Sequence, residues 1–428
     1  MRQYRIRGRN RIGGQLKVGG AKNAVLPILA AVCLNKGESE IHNCPRIADT
    51  FLSIDILKHI GCRVKFTENT LYVDASGINE INIPEKWVGQ MRSSILFMGA
   101  MLGLCGQVNI AHPGGCDLGE RSIGYHLDGL KAMGATIDSD KKIMYCKGPL
   151  HGADIRLPTA SVGATENLIL AAALAKGQTI ISNAAREPEV VDLAKFLRGM
   201  GADIRGAGTG QIIIEGVKKL TNVTHKVMPD RIVAGTYLTA AAMTVGEISL
   251  VDVCPQDIAV ITAKLAEMGC KISHGTDSIT LKGPERLKAL PYLETAEYPG
   301  FPTDMQAQLV AALSFAQGRS IVKERIFDNR HAHAVGLRLM GADIQSRQIE
   351  LCADPKKEIT VFEIEGKAAL HGAVVEAKDL RCGAALVLAG LAAEGETVVQ
   401  GAQYVERGYE GIEMALAEVG ADIMLEEV

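Results

Sequence analysis

Residues 200–204 have the sequence Met-Gly-Ala-Asp-Ile: an apolar residue, glycine, a small residue, any residue and a β-branched residue. The pattern occurs six times, at Ile60–Val64, Met133–Ile137, Met200–Ile204, Met268–Ile272, Met340–Ile344 and Val419–Ile423. The glycines are 73, 67, 68, 72 and 79 residues apart. Such a pattern predicts a helix that is closed by a C-cap glycine and followed by a strand.

A second pattern also occurs six times. It is an alanine- and leucine-rich run, then a glycine, then a β-branched run, with the glycines at Gly37, Gly106, Gly177, Gly246, Gly318 and Gly395. We expect each of these glycines to close a helix as well. Because the two patterns keep the same period, they indicate six internal repeats of about 70 residues.

The third copy predicts the content of one repeat. Its expected elements, in order, are a strand at 153–157, a buried helix at 164–176, a strand at 178–182, an amphipathic helix at 189–200 and a hairpin of 202–205 with 211–215. The Gly-x-Gly-x-Gly at 206–210 lies between two strands, so it is a turn and not a dinucleotide-binding loop. Each repeat is therefore predicted to be β-α-β-α-β-β, in an α/β fold.

The sixth copy ends before its last strand is complete. Residues Tyr4–Gly8 resemble the closing strands Ile212–Gly216 and Ile279–Gly283, so we expect the start of the chain to complete the last repeat. Three repeats make a domain of ordinary size. The prediction is one continuous domain at 21–229 and one discontinuous domain made of 1–20 and 230–428, with the site in the cleft between them.

Composition excludes several functional classes. With 46 basic and 49 acidic side chains, the formal net charge is −3, and aromatic residues make up 4% of the chain. Neither nucleic acid nor an anionic membrane surface is expected as a partner. The longest apolar runs, such as Ala24–Leu34, are too short to span a bilayer. The ten scattered cysteines form no CxxC pair, which favours a cytoplasmic protein with reduced thiols.

Polar residues cluster where helices are predicted to begin. First-helix starts carry Lys22-Asn23, Ser161–Thr165, Asp230-Arg231, Thr303-Asp304 and Asp379–Arg381, with Arg92 inside the corresponding helix of the second repeat. Loops before second helices carry Cys116–Arg121, Arg186–Glu189, Asn329-Arg330 and Arg407. Helix N-termini with cationic side chains nearby bind anions, so these groups favour phosphorylated substrates if they converge.

Three further segments carry residue types that occur in catalytic, nucleotide-binding or metal sites. Cys116 lies in the glycine-rich loop Pro113–Arg121, outside any core run, and could be an acid or nucleophile. Gly14–Gly20 nearly matches a P-loop, but Gly20 stands where the lysine belongs, so ATP binding is rejected. The pair His331 and His333 is interpreted as a surface pair and not as a metal site.

At these positions the sequence resembles the enolpyruvyl transferases, and within them the members that act on UDP-N-acetylglucosamine. The matching segments are Gly20–Ala24, Pro113–Cys116, Ser161–Asn167, Asn183–Glu189, Pro229–Ile232, Tyr298–Asp304, Asp379–Arg381 and Glu406–Glu410. The resemblance implies an inside-out α/β barrel of two domains, each with three β-α-β-α-β-β units. This fold agrees with the repeat pattern.

The activity that the resemblance implies is transfer of the enolpyruvyl group of phosphoenolpyruvate to the 3′-hydroxyl of UDP-N-acetylglucosamine, with release of phosphate. That reaction is the first committed step of peptidoglycan precursor synthesis. Cys116 would protonate the methylene carbon or form a phospholactoyl adduct, and would be the thiol that fosfomycin alkylates. Asp304 would accept the proton of the sugar hydroxyl.

The resemblance also implies which residues bind each substrate. The catalytic set would be Cys116, Asp304, Lys22 and Arg407. Phosphoenolpyruvate would be bound by Lys22, Asn23, Arg121, Arg381 and Arg407. The UDP-sugar would be bound by Arg92, Arg121, Ser122, Ser161, Val162, Gly163, Asp304, Ile326 and Arg330. Neither a metal nor another cofactor is required by this scheme, and the oligomeric state stays open.

Three departures from the family pattern keep alternatives open. Ser122 and Gly124 replace a proline and an aspartate, Thr159-Ala160 precede the Ser-Val-Gly segment where some members have lysine, and the 331–333 segment differs. The alternatives are a divergent paralogue with another acceptor, a shikimate 3-phosphate enolpyruvyl transferase, and a non-catalytic sugar-nucleotide sensor. A cysteine hydrolase, with His126 as the partner of Cys116, is a further one.

Overall fold

The computed structural model describes residues 2–114, 123–351 and 354–428, which form the mixed α/β structure expected from the repeats. Its strands are β1 Arg2–Arg7, β2 Gly13–Lys17, β3 Glu38–His42, β4 Arg63–Thr67, β5 Thr70–Asp74, β6 Asn82–Ile83, β7 Gln107–Ala111, β8 Thr136–Ser139, β9 Ile143–Lys147, β10 Asp154–Arg156, β11 Gln178–Ser182, β12 Asp203–Arg205, β13 Gln211–Glu215, β14 Val223–Lys226, β15 Glu247–Val251, β16 Lys271–His274, β17 Ser278–Lys282, β18 Tyr292–Glu294, β19 Arg319–Glu324, β20 Asp343–Leu351, β21 Asp354–Glu365, β22 Val374–Glu376, β23 Glu396–Gln400 and β24 Asp422–Glu427.

The α-helices are α1 Lys22–Ala31, α2 Ala48–His59, α3 Glu85–Val88, α4 Leu96–Cys105, α5 Gly124–Ala132, α6 Val162–Ala172, α7 Pro188–Gly199, α8 Arg231–Met243, α9 Ala259–Glu267, α10 Gln306–Ser314, α11 Ala332–Leu339, α12 Leu380–Ala392, α13 Ala402–Val405 and α14 Ile412–Glu418. Short 3₁₀ turns at Val32–Asn35, Arg92–Ile95 and Thr303–Met305 adjoin α1, α4 and α10.

The described residues form two compact units, which we call the central unit and the terminal unit. The central unit extends from Gly20 to Met228, and the terminal unit combines the segment up to Gly19 with Pro229–Val428. Each unit has a separate hydrophobic core.

Six four-stranded sheets are present among the described residues, and each unit contains three of them. The sheet of the third repeat has the order β10-β11-β13-β12, with β10 parallel to β11 and the other pairings antiparallel. The helices α1, α4 and α6 pack against one another inside the central unit, and α8, α10 and α12 do the same inside the terminal unit. In α6 every residue from Ala164 to Ala172 is buried. Apolar helices inside and half-exposed sheets outside make an inside-out α/β barrel, as predicted.

The first strand of the chain lies inside a sheet rather than at its edge. β1 pairs with β23 on one side and with β24 on the other, both antiparallel. Tyr4 and Ile6 in this strand are fully buried. The prediction that the start of the chain completes the sixth repeat is confirmed.

The first strands of the first and fourth repeats are exchanged. β2 precedes α1 in sequence, yet it pairs with β15 of the fourth repeat. β14 precedes α8, yet it pairs with β3 of the first repeat. The chain therefore leaves each unit directly after contributing a strand to it, at Gly19 and at Met228.

The third repeat follows the sequence prediction with one correction. β11 and β13 have the predicted bounds, and the turn between β12 and β13 contains Gly206 and Gly208 with φ of 79° and 89°. The predicted helix at 164–176 was too long, because α6 ends at Ala172. The chain turns there toward Gly177, whose φ of 95° a side chain would oppose.

The glycine prediction is confirmed at ten of the twelve marker positions and is wrong at Gly37 and Gly246. All six glycines of the first pattern have positive φ, and so do four of the second. In the first and fourth repeats the preceding residues, Lys36 and Val245, take the left-handed conformation instead, with φ of 48° and 55°. These are the two repeats whose first strand is exchanged.

The lengths of the helices and the conformation of residues 14–20 bear on a membrane span and a P-loop. In the described ranges, no helix is both long and apolar enough to cross a bilayer. The P-loop-like segment at 14–20 lies mostly in β2, so its backbone amides belong to a sheet.

Candidate active site

Capping side chains position several of the polar residues that were expected at helix starts. The Asp230 carboxylate accepts from the backbone N–H groups of Ile232 and Val233, at 2.8 and 2.9 Å. Asp379 caps α12 in the same way, and Ser161 caps α6 through its hydroxyl. Because Asp379 Oδ1 accepts from Arg381 N at 2.9 Å, the cap also fixes the backbone position from which the Arg381 side chain extends.

Asp304 forms the centre of a charged cluster in the terminal unit. It lies in the 3₁₀ turn before α10, and its two carboxylate oxygens accept from two guanidinium groups. Arg330 Nη1 is 3.0 Å from Oδ1, and Arg381 Nη2 is 2.7 Å from Oδ2. The side chains of Arg330 and Arg381 are 7% and 3% exposed, whereas that of Asp304 is 19% exposed. One carboxylate thus compensates two buried cations and keeps an accessible face.

Arg381 is held by more than its ion pair. Burial alone would lower the pKa of its guanidinium, but the charge of Asp304, with contributions from Tyr409 and Asp230, outweighs burial and raises that pKa. Its Nη1 donates to the hydroxyl oxygen of Tyr409 at 3.2 Å. The guanidinium is therefore charged and fixed at both of its terminal nitrogens.

Tyr409 links this cluster to the turn that carries Arg407. Thr236 donates its hydroxyl proton to the Ile232 carbonyl at 2.8 Å, so the Tyr409 hydroxyl must donate to Thr236 Oγ1, 2.9 Å away. Tyr409 can then accept from Arg381. Arg407 is half-buried, two residues earlier, in the turn that follows α13.

Lys22 forms a buried ion pair in the central unit. Its Nζ is 2.8 Å from Oδ2 of Asp49, and the two side chains are 12% and 5% exposed. Lys22 and Asn23 begin α1, and Asp49 lies in the first turn of α2. Asp49 therefore fixes the ammonium group at the start of the core helix.

Arg92 and Gly163 both lie close to one buried histidine. Burial, with a smaller contribution from the charge of Arg92, lowers the pKa of His126 to about 4. A Cβ added to Gly163 would be 3.3 Å from Cε1 of this ring, so glycine allows the ring to approach the start of α6. Burial also lowers the pKa of Arg92.

The hydrogen bonds of His126 define its tautomer. Asn167 Oδ1 accepts from Gly99 N at 2.9 Å, so the amide NH₂ of Asn167 faces Nδ1 of His126, 3.1 Å away. Nδ1 then accepts, and the ring proton is assigned to Nε2. A neutral histidine in that tautomer has no free acceptor for a thiol proton, which disfavours the cysteine hydrolase interpretation.

Several known proteins resemble this chain over nearly its whole length. The family model of EPSP synthase (3-phosphoshikimate 1-carboxyvinyltransferase) matches residues 6–416. The chain belongs to the enolpyruvyl transferase family. It is 50% identical over 425 residues to UDP-N-acetylglucosamine 1-carboxyvinyltransferase 2 of Caldanaerobacter subterraneus subsp. tengcongensis, covering 99% of both chains. It is 46% identical to UDP-N-acetylglucosamine 1-carboxyvinyltransferase 1 of Symbiobacterium thermophilum, covering 98% of this chain and 94% of that protein.

Solved structures of other proteins have the same fold as this chain. The enolpyruvyl transferase NikO from Streptomyces tendae is similar with a TM-score of 0.86 and 25% identity, over 100% of this chain and 99% of that one. EPSP synthase from Acinetobacter baumannii is similar in fold, with a TM-score of 0.73 and 19% identity over the full length of both. The protein is thus a transferase.

Several predicted site residues of this enolpyruvyl transferase are placed by the structure, and others are not. Asp304, Arg330 and Arg381 meet directly, and the backbone of Ile326 lies in the loop before Arg330. Ser161, Val162 and Gly163 form the start of α6. Cys116, Arg121 and Ser122 lie outside the described residues.

The interpretation of the histidine pair was partly wrong. His333 is 1% exposed, and its ring centroid is 5.3 Å from that of Phe362. Burial, followed by the charges of Arg330 and His331, lowers its pKa to about 3. The position is therefore a core position of α11. Within the described ranges, no group of three or more metal-ligating side chains is found.

Sequence reasoning missed two buried carboxylates next to predicted site residues. Asp49 pairs with Lys22, and Glu324 is fully buried at the end of β19. The alternation of β19 contained a signal for Glu324, because Ser320, Val322 and Glu324 all face inward. An inward carboxylate at a strand end requires partners, and the backbone of the next residues, Ile326 and Phe327, supplies two of them.

Proposed function

We propose that this enolpyruvyl transferase transfers the enolpyruvyl group of phosphoenolpyruvate to the 3′-hydroxyl of UDP-N-acetylglucosamine and releases phosphate. The acceptor is supported by the names of relatives that are 44–50% identical over nearly the full chain. The observation that carries the proposal is the Asp304 carboxylate, which is partly exposed and held by two buried arginines.

The proposed chemistry has an addition and an elimination step. The sugar hydroxyl adds to C2 of phosphoenolpyruvate while C3 gains a proton, which gives a tetrahedral ketal. Loss of phosphate and of a C3 proton then restores the double bond. The addition needs a base near the hydroxyl and an acid near C3. We assign these roles to Asp304 and Cys116.

Asp304 can serve as the base without leaving its ion pairs. Its carboxylate stays 19% exposed while its two oxygens accept from Arg330 and Arg381. A hydroxyl that approaches the accessible face can therefore donate to Asp304 directly. The arginines hold the carboxylate in place throughout.

The cationic residues serve the anionic groups in this proposal. Lys22, Asn23, Arg121, Arg381 and Arg407 bind phosphoenolpyruvate, and preorganised charge stabilises the departing phosphate. The UDP-sugar set consists of Arg92, Arg121, Ser122, Ser161, Val162, Gly163, Asp304, Ile326 and Arg330. We assign the reaction to peptidoglycan precursor synthesis in the cytoplasm, and hence to cell shape, the cell cycle and cell division, with fosfomycin as an inhibitor.

The test is phosphate release from phosphoenolpyruvate with and without UDP-N-acetylglucosamine, repeated after fosfomycin. We expect release that depends on the acceptor and stops after fosfomycin, together with an enolpyruvyl product by mass spectrometry. Cys116→Ser should abolish or severely reduce turnover. Phosphate release with shikimate 3-phosphate or another uridine nucleotide as the acceptor instead would contradict the assignment of UDP-N-acetylglucosamine. Binding of the UDP-sugar without any phosphate release would favour the non-catalytic sugar-nucleotide sensor.

A further inference from the structure

Glu324, a fully buried carboxylate at the end of β19, belongs to none of the predicted catalytic and substrate-binding sets. Four groups donate to it. Oε1 accepts from Thr295 Oγ1 at 2.9 Å, Ile326 N at 2.8 Å and Phe327 N at 3.1 Å, and Oε2 accepts from Thr303 Oγ1 at 2.8 Å. Hydroxyl and amide donors thus solvate the charge in place of water.

One of these donors, Thr303, connects Glu324 to the Asp304 cluster. The single hydroxyl proton of Thr303 goes to Glu324, so Thr303 Oγ1 is free to accept from Arg330 Nη1, 2.8 Å away. The same Nη1 donates to Oδ1 of Asp304 at 3.0 Å. A continuous chain of hydrogen bonds therefore runs from Glu324 through Thr303 and Arg330 to Asp304.

The other donors connect Glu324 to the loop that follows β19. Its Oε1 binds two successive backbone N–H groups, at Ile326 and Phe327. Arg325 N donates to Thr295 Oγ1 at 2.9 Å, which closes the turn from the other side. The turn after β19 is thus held by the side chains of Glu324 and Thr295 together.

We propose that Glu324 is a positioning residue for the acceptor half of the reaction. It holds the Ile326 backbone, and through Thr303 and Arg330 it orients Asp304. This inference rests on the proposed function. Since Arg381 reaches Asp304 from α12 and is fixed separately by Tyr409, Glu324 controls the sugar side of the cluster more than the phosphoenolpyruvate side.

Glu324→Gln tests the link at constant side-chain size. If its carbonyl oxygen keeps the Oε1 position, its NH₂ group faces Thr303, and the Thr303 hydroxyl loses its acceptor. We expect the KM for UDP-N-acetylglucosamine to rise about 10- to 100-fold, and the KM for phosphoenolpyruvate to change by about threefold or less.

A second pair of variants isolates the Thr303 step. Thr303→Val removes the hydroxyl and should reproduce the effect of Glu324→Gln, whereas Thr303→Ser keeps the hydroxyl and should restore the parental KM values. Thr397→Val is the matched control, because this fully buried threonine in β23 has a hydroxyl that bonds to no described residue. It should leave both KM values unchanged.

The outcomes separate this inference from the proposed function. A parental enzyme that turns over UDP-N-acetylglucosamine supports the function, whatever the variants do. With that enzyme active, equal KM changes for both substrates, or Thr303→Val matching Thr397→Val, would overturn the role of Glu324. If Glu324→Gln does not fold, the KM values of Thr303→Val and Thr303→Ser test the role of Glu324 in its place. A parental enzyme inactive with this acceptor would overturn both.

Discussion

Replacing Asp304 by asparagine should destabilise the terminal unit as well as remove the proposed base. The substitution keeps the shape of the side chain but removes the negative charge between Arg330 and Arg381, at 3.0 and 2.7 Å. Breaking a buried ion pair from one side costs about 3–5 kcal/mol, because the remaining charge is left uncompensated. Since Asp304 itself is partly exposed, we expect about 3 kcal/mol.

The assay is thermal unfolding of the full chain without substrates. For a unit of this size, about 3 kcal/mol corresponds to a decrease in Tm of roughly 6–12 °C. Asp252→Asn is the matched control, because its ion pair with Lys17 at 3.1 Å joins side chains that are 37% and 71% exposed. An exposed pair contributes about 0–1 kcal/mol. If Asp304→Asn melted with the parental protein, or if both variants lost equal stability, the ion-pair argument would be refuted.

Three further predictions follow from the same structure. Lys22→Met should raise the KM for phosphoenolpyruvate more than the KM for the UDP-sugar. By removing the ion pair with buried Asp49, it should also cost about 3 kcal/mol of stability. Lys22→Arg is the charge-keeping control, and equal KM changes for the two substrates would contradict the assignment. Burial lowers the pKa of His126 from 6.5 to about 4. The neutral, buried histidine therefore stabilises the folded protein fully above about pH 6.5, and this stabilisation is lost as the pH falls to 4. The lost stabilisation amounts to about 3 kcal/mol, so the difference in unfolding free energy between the parental protein and His126→Gln should narrow over that pH range. A difference that stays constant with pH would contradict this prediction. Tyr409→Phe removes an acceptor from buried Arg381 and should cost about 1–3 kcal/mol in urea unfolding, and an unchanged midpoint would exclude the assigned hydrogen bond.

The repeat architecture could be predicted because its signals are local. A glycine that ends a helix and the alternating strand that follows it can both be recognised within a few residues of sequence. The predicted elements of the third repeat were therefore close to those observed. The pairing of β2 with β15 was not predictable in this way. β2 precedes α1 much as the first strand of the third repeat precedes α6, and nothing in its own residues distinguishes the partner.

In the site, too, the local features were predictable and the long-range contacts were not. Asp230, Asp379 and Ser161 were expected at helix starts, and capping is a local property that the structure reproduces. The contacts of Asp304 were not predictable by spacing, because its two arginines lie 26 and 77 residues away. Burial of His333 was missed because a single polar residue in a short helix does not reveal which face packs inward.

The interior position of β1 has a consequence for how the chain is made. β1 leaves the ribosome long before its neighbours β23 and β24. At about 5–20 residues per second, Tyr4 and Ile6 wait roughly 20–80 s before their apolar side chains can be covered. The central unit has its last strand, β14, long before that time. Nascent chains should therefore carry one finished unit and one unpaired strand until β23 and β24 have been synthesised.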